Sequence, residues 1–268
     1  MQLGVQGLMP TIVEMIAPGL VSVTFRKIAP VDIIALVRQA GLHYIEWGGD
    51  VHVPHGDLGR AREVRELTHE AGLAVAAYGS YFRVAHSEDD GLPFQQVLDT
   101  ALELGAPIIR VWAGTVGSAS VDEDTRWRVV TDLRRVAELA EKVGIKISTE
   151  FHGGTLTDTN ESASRLLVEV DHPNLFSYWQ PLMGMDDQVC IAGLRELAPR
   201  LTHLHVYHWV ESSNNRRPLI EGKERWRKFL AEAATIPGDR SAMLEFVEND
   251  APENFLRDAA ILQSWLKP

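Results

Sequence analysis

Cysteine is nearly absent. Cys190 is the only one among 268 residues, so no disulfide can form within the chain, and this fits a reducing compartment, with the cytoplasm as the expected location. Basic residues are in deficit: 26 Lys and Arg stand against 37 Asp and Glu, a formal net charge of -11. A surface of that sign repels nucleic-acid phosphate, and no basic run exceeds Arg216-Arg217, so no nucleic-acid partner is expected. Long apolar runs are missing too. None approaches the roughly 18 residues needed to cross a bilayer, and the N-terminus lacks a basic region followed by an apolar stretch, so neither a membrane partner nor a signal peptide is expected. There is no phosphate-cradling or dinucleotide glycine pattern, because Gly48-Gly49 is too sparse to form one.

What is present is a hydrophobic share of 45%, enough for a full core. Residues 1–18, with Met9 and Met15 among loosely apolar residues and Pro10 and Pro18 as breakers, read as an N-terminal extension before the fold proper. From Gly19 onward one theme repeats: a short β-rich run, a polar loop, and a helical pattern closed by glycine. Strands are expected at Gly19–Phe25, Tyr44–Trp47, Ala74–Gly79, Pro107–Trp112, Ile145–Thr149, Leu175–Gln180, Leu201–Tyr207 and Ala242–Val247. Helices are expected at Val31–Gln39, Leu58–Glu70, Gln95–Leu104, Asp122–Val143, Ser162–Val170, Asp186–Leu197, Lys223–Ala234 and Asn254–Leu266. Strict alternation implies a parallel sheet. Eight units in a chain of this length imply an α/β fold, a single closed (β/α)8 barrel spanning residues 19–268 rather than an open doubly wound sheet.

Catalytic groups in such a barrel stand at the C-terminal ends of its strands. Read in turn, those ends offer Glu46 and Trp47; Tyr78, Tyr81 and Arg83; Arg110 and Trp112; Glu150 and His152; Gln180; His203, His205 and His208; and Glu245 and Glu248. Glu150 and Glu245 each close an apolar run on well-separated strands. His205 lies in an alternating segment whose Leu204 and Val206 point the other way. A carboxylate at the end of an apolar strand needs a partner, since an unpaired buried charge costs several kcal/mol. Two partners are open: a divalent ion such as Mn, Mg, Co or Zn held by Glu150, His205 and Glu245, or ion pairs to Arg110 or Arg216 with His205 a hydrogen-bonded core histidine.

The order of Ser148-Thr149-Glu150, Tyr178-Trp179-Gln180, His203-Leu204-His205 and Leu244-Glu245-Phe246 resembles the xylose-isomerase-like TIM barrels, the sugar (phosphate) isomerase/epimerase family. The resemblance runs from about Gly19 to the C-terminus, including the unit from Gly41 to Trp47. It implies one divalent metal ion held from four strands by Glu150, Gln180, His205 and Glu245. Gln180 stands where the family usually has Asp, so two carboxylates would hold the ion instead of three. Such a site would bind metal more weakly and leave the ion a stronger Lewis acid; the alternative is that Gln180 contacts substrate and the metal is absent or held by three ligands, with His152 open as a fourth.

The resemblance also implies the chemistry. With a metal chelating a carbonyl and the neighbouring hydroxyl to stabilise an enediolate, Glu150 and Glu245 would move the adjacent proton, giving isomerisation or epimerisation of a ketose, aldose or keto-sugar. A leaving group β to the carbanion turns the same start into elimination, as in keto-sugar and keto-inositol lyases and dehydratases. The expected partner is a small carbohydrate. Trp47 and Trp112 would face it at strand ends, with His52 and His55 in the loop Val51-His52-Val53-Pro54-His55-Gly56, His152, His208 and Arg216 as further contacts. Homo-oligomers, dimers or tetramers, are common among such barrels. Two other readings are a DNA-repair endonuclease, which would need a three-zinc cluster and a basic groove, and a non-catalytic carbohydrate-binding barrel with a degenerate metal site.

Overall fold

The computed structural model describes residues 16–267. Eight parallel strands close into a barrel through β1 (Ile16–Val21), β2 (Tyr44–Gly48), β3 (Ala74–Arg83), β4 (Ile108–Trp112), β5 (Lys146–Thr149), β6 (Leu175–Trp179), β7 (Leu201–Val206) and β10 (Arg240–Leu244), with β10 pairing back onto β1. Helices α1 (Pro30–Gln39), α2 (Leu58–Glu70), α3 (Phe94–Leu104), α4 (Glu123–Glu141), α5 (Asn160–Val170), α6 (Asp187–Leu197), α7 (Lys223–Ala233) and α8 (Pro252–Leu266) surround it. The fold is therefore the (β/α)8 barrel that the repeat implied. Side-chain oxygens cap the starts of several helices: Asp57 accepts from Arg60 N, Asp122 from Thr125 N and Thr159 from Ser162 N. At the other end of α3, Gly105 takes φ 72°, a left-handed cap that a side chain would strain.

Alternation along the strands divides the core in two. Leu20, Ile45, Trp47, Ile109, Val111, Ile147, Trp179, Leu204 and Leu244 pack outward against the helices in one continuous apolar layer. Each such side chain contributes about 1.5–3 kcal/mol on burial. Inside the barrel lie two small clusters, Val21, Val23, Ala76 and Met243, and Ala77, Ile108 and Tyr178. The inward series continues toward the C-terminal ends of the strands with Glu46, Arg110, Glu150, Gln180, His205 and Glu245, none more than 5% exposed. The fold thus gathers every buried charge of the inner face at one end.

Three local differences from the sequence expectations have physical causes. The first strand runs Ile16–Val21 and Ser22–Phe25 curls into a 3-10 turn, because Ser22 Oγ accepts from Gly48 N (2.9 Å) and Thr24 Oγ1 from Phe246 N (3.0 Å). Ile16–Pro18, counted above with the extension 1–18, are part of β1; residues 1–15, including Met9 and Met15, lie outside the described residues. The long loop after β7 holds an antiparallel hairpin of β8 (Trp209–Val210) and β9 (Ser212–Arg216), turned at Glu211 with φ 64°. Its polar, exposed run Ser212-Ser213-Asn214-Asn215 lacks the apolar alternation by which strands are read.

One glycine ties the barrel wall to its charged interior. A Cβ on Gly79 of β3 would stand 2.6 Å from Glu46 Oε1 and 2.8 Å from Arg110 Nη2, so the strand passes a buried ion pair only because it carries no side chain there. Gly79→Ala should destabilise the protein by about 1–3 kcal/mol, the cost of overpacking a filled core. Urea melts would read this as a lower midpoint at unchanged slope. A wild-type midpoint would mean the pair has room to move.

Candidate active site

Glu150 follows β5, Glu245 follows β10 and His205 lies in β7, three strands brought round the barrel axis. One potential ligand atom from each lies within 4.8 Å of the others, and all three residues are buried. The imidazole Nδ1 is 3.6 Å from Glu150 Oε1, 3.4 Å from Glu245 Oε2 and 2.9 Å from Gln180 Oε1. Ligand atoms at about 2.1 Å from one octahedral ion stand about 3 Å apart along an edge and about 4.2 Å across. Glu150, His205 and Glu245 therefore meet with spacings a divalent ion can span, and Gln180 lies beside His205.

Below this group lies a second tier. Arg110 Nε donates to Glu46 Oε1 at 2.7 Å, its Nη1 donates to Glu150 Oε2, and Trp112 Nε1 donates to the same Glu150 oxygen at 2.5 Å. The ion-pair alternative from the sequence thus holds for one oxygen of Glu150, while its Oε1 remains directed at His205. Among the described residues no Arg or Lys is within ion-pair distance of Glu245. Arg216 is spent elsewhere: it pairs with Asp250 and lies over the Phe246 ring, 4.4 Å from its centroid.

The charges set the protonation states. Burial pushes the Glu46 carboxyl up, but Arg110 and His205 outweigh it and hold it down at about 2. Glu150 is likewise pushed up by burial and lowered, on balance, by Arg110 and His205. Burial disfavours charge on His205, yet Glu245, Glu150 and Glu46 raise it well above the ordinary histidine value. The set is short of positive charge: with His205 neutral, three buried carboxylates face a single buried guanidinium, leaving two negative charges uncompensated. His205 Nε2 and Glu46 Oε2 are buried without a hydrogen bond among the described residues. Ligand spacing, ligand type and this charge deficit all fit a divalent cation.

The wall residues divide sharply. Trp112 is at the site, and His152 stacks on it with ring centroids 4.4 Å apart and Nδ1 2.7 Å from Gly153 O. Trp47 and His52 do not face the mouth, contrary to the sequence expectation. Trp47 alternates outward and donates to Thr68 of α2 at 3.2 Å, and His52 is held by Ser22 Oγ (2.9 Å) and Phe25 O (3.2 Å) with its ring edge against Trp47. Packing uses both. His55 binds the Tyr78 hydroxyl at 2.7 Å, and His208 lines a small cleft with Tyr207, Trp209 and Trp226 beside the start of α7. The sequence offers Arg110 as an ion-pair partner of Glu150 but assigns no role to Glu46, although it is a charged residue interrupting the apolar strand Tyr44-Ile45-Glu46-Trp47. That signal was available.

Two aromatic residues beside the ligands, Tyr81 (φ 55°) and Phe246 (φ 51°), have left-handed backbones. Such strain in bulky residues persists only where neighbours enforce it, and it collects at functional sites. Here Tyr81 lies over Arg110, 4.7 Å from ring centroid to guanidinium, and Phe246 follows Glu245 directly, its N–H tied to Thr24.

Comparison with known proteins places the chain in a family. The chain is 26% identical over 279 residues to the 3-dehydroshikimate dehydratase of Bacillus anthracis, covering 91% of this chain and 95% of that protein. To the "Probable L-ribulose-5-phosphate 3-epimerase UlaE" of Mycoplasma pneumoniae it is 25% identical over 201 residues, covering 69% and 65%. Among solved structures, the probable 3-DHS dehydratase AsbF of Bacillus anthracis superposes with a TM-score of 0.80 at 23% identity, covering 92% of this chain and 99% of that one. A xylose isomerase-like TIM barrel protein of Mycobacterium smegmatis, solved in complex with magnesium, gives 0.71 at 17% identity, covering 93% and 96%. The family model described as xylose isomerase-like TIM barrel matches residues 34–266. The chain belongs to the xylose isomerase-like TIM barrel family.

Proposed function

We propose that the protein is a divalent-metal-dependent lyase that removes water from a polyhydroxylated β-hydroxy ketone, a keto-sugar or hydroxylated keto-carbocycle. The observation that carries this reading is the buried group of Glu150, Gln180, His205 and Glu245 in a chain that aligns along 91% of its length with a dehydratase. Glu150, Gln180, His205 Nδ1 and Glu245 would hold the ion. When bound, it would supply a Lewis acid for the substrate carbonyl and for the negative charge that develops there.

The chain's own groups then divide the proton work. Glu150 is a poor base, because Arg110 and Trp112 stabilise its anion, and basicity falls with pKa. This argues against the symmetric Glu150–Glu245 shuttle expected from the resemblance. Glu245 lacks such donors and is the better acceptor for the proton on the carbon beside the carbonyl. As that C–H bond breaks, its electron pair forms the new C=C bond and expels the hydroxyl of the adjacent carbon, which leaves as water after taking a proton from His152. Trp112 holds His152 by stacking, and the Gly153 carbonyl fixes its Nδ1 as a donor, leaving Nε2 to exchange the proton. Arg83, exposed and 5.1 Å over the Trp112 ring, has no ion-pair partner among the described residues and suits an anionic substituent on the substrate.

The second reading is sugar isomerisation or epimerisation at the same site, which the partial match to the epimerase supports. It requires a second proton-transfer group on the opposite face of the substrate. A protein treated with chelator and reloaded with Mn, Mg, Co or Zn separates the two on a panel of 3-dehydroshikimate, keto-inositols and ketoses. Dehydration gives a conjugated, ultraviolet-absorbing product lighter by one water; epimerisation gives solvent deuterium in a product of unchanged composition. Neither water loss nor exchange with any of the four metals would sink both.

Three expected outcomes follow from the assignments. Glu245→Gln should lower kcat by at least about 100-fold at saturating metal, the scale of a lost acid–base group, and weaken metal binding by about tenfold, an amide replacing a carboxylate. Gln180→Asp should tighten metal binding by about tenfold, a carboxylate replacing an amide, as read by competition with a chromophoric chelator. Because three carboxylates keep His205 protonated when no cation is bound, binding must displace about one proton. Affinity should therefore rise with pH, by up to about tenfold per unit below the His205 pKa; calorimetry in buffers of different ionisation enthalpy would count the proton.

A further inference from the structure

We propose that Glu46 is a positioning residue for the cation site: its Oε2 holds the Nε2–H of His205 and so turns the Nδ1 lone pair toward Glu150, Glu245 and Gln180. The inference rests on reading that group as a metal site, and it concerns a residue outside the ligand set.

Two unpaired atoms suggest it. Glu46 Oε2 and His205 Nε2 are both fully buried, neither has a hydrogen bond among the described residues, and they lie 3.7 Å apart. A buried polar atom without a partner is costly, about 1–3 kcal/mol or more when charged. A shift of about 0.7 Å would bring this pair to an ordinary hydrogen bond. The surroundings aim both atoms. Alternation along β2 sends Ile45 and Trp47 into the outer layer and Glu46 to the axis. Arg110 Nε holds the other oxygen at 2.7 Å, and Gly79 leaves the space in which the carboxylate lies. On the histidine side, the Tyr178 ring meets the imidazole edge-on, 5.1 Å between centroids at 88°.

A cation binding to His205 displaces one of the two imidazolium protons, and two acceptors compete for the one that remains. Gln180 Oε1, 2.9 Å from Nδ1, would keep the proton on the nitrogen that must ligate, closing the site to a cation. Glu46 would keep it on Nε2 and leave Nδ1 free. A carboxylate is a stronger acceptor than an amide oxygen, so with Glu46 ionised the ligating tautomer prevails. Carboxylate partners of this kind fix the tautomer of a ligating histidine and alter metal affinity by about 10–100-fold.

The test uses the full chain and zinc alone, with no turnover required. In zinc-loaded wild type, nitrogen-15 histidine spectra should show His205 protonated at Nε2, with a downfield proton, and bound through Nδ1. Glu46→Gln keeps the shape but removes the charge; it should bind zinc about 10–100-fold more weakly by chelator competition and move the Nε2 proton upfield. A Glu46→Gln protein with wild-type zinc affinity overturns the inference and leaves the proposed function standing, as does a zinc-loaded wild type whose His205 Nε2 proton lacks the downfield shift of a carboxylate hydrogen bond. The latter decides the matter even if the variant fails to fold. A wild type that binds no zinc removes both the inference and the metal on which the function rests.

Discussion

Arg110 is the side chain on which the interior depends. It is 1% exposed, in the middle of β4, and it joins Glu46 on β2 to Glu150 beyond β5. Three charges in a water-poor core are tolerable only because each has a partner; removing one member of such a set costs about 3–5 kcal/mol, since the rest stay buried without it. The demand reaches into the fold. β3 passes the pair with glycine at position 79, and Tyr81 takes a left-handed backbone beside the guanidinium. Local propensity gives way there to the electrostatics of the centre.

Arg110 also makes the two glutamates of the site unequal. Glu150 has one oxygen committed to cationic and indole donors, which fixes its rotamer and weakens it as a base. Glu245 meets only His205 at ion-pair distance among the described residues, and it sits on a strand end whose next residue is conformationally strained. Residues that read as an equivalent pair in the sequence thus have unequal surroundings, and the proposed division of labour, with Glu245 carrying the proton, rests on that difference. Epimerisation asks for two comparable acid–base groups across the substrate, whereas elimination can be served by Glu245 with a smaller partner such as His152 on the same rim.

Most of the fold was legible because the repeat is regular: Leu58–Glu70 and the glycines that close helices needed no tertiary information. The buried cluster was legible too, since Glu150, His205 and Glu245 are polar residues ending apolar strands. Orientation was harder. Trp47 and His52 lie near a strand end, as a mouth residue should, but period-two alternation sends Trp47 outward and Ser22 draws His52 into the wall. Glu46 is one residue earlier on the same strand and faces the other way. Proximity to a strand end does not fix orientation; parity of position decides which side chain reaches the axis. The β8–β9 hairpin was illegible for a different reason: it is held by backbone pairing in a polar segment, with no apolar periodicity to announce it.

Gln180 then fits a charge balance that the resemblance alone cannot supply. Glu46, Glu150 and Glu245 against Arg110 leave two negative charges when His205 is neutral, the number a divalent ion neutralises. An aspartate at position 180 would add a third, holding the ion more firmly while leaving the loaded site anionic. Proton abstraction beside a carbonyl puts new negative charge on the substrate at the same place, and in a low-dielectric interior an existing anion opposes it strongly. With an ion held as proposed, the amide would offer it an oxygen and add no charge, so that a neutral centre would receive the developing anion. On that proposal, what looks like a weakened ligand in the sequence would, beside Glu46 and Arg110, balance the core.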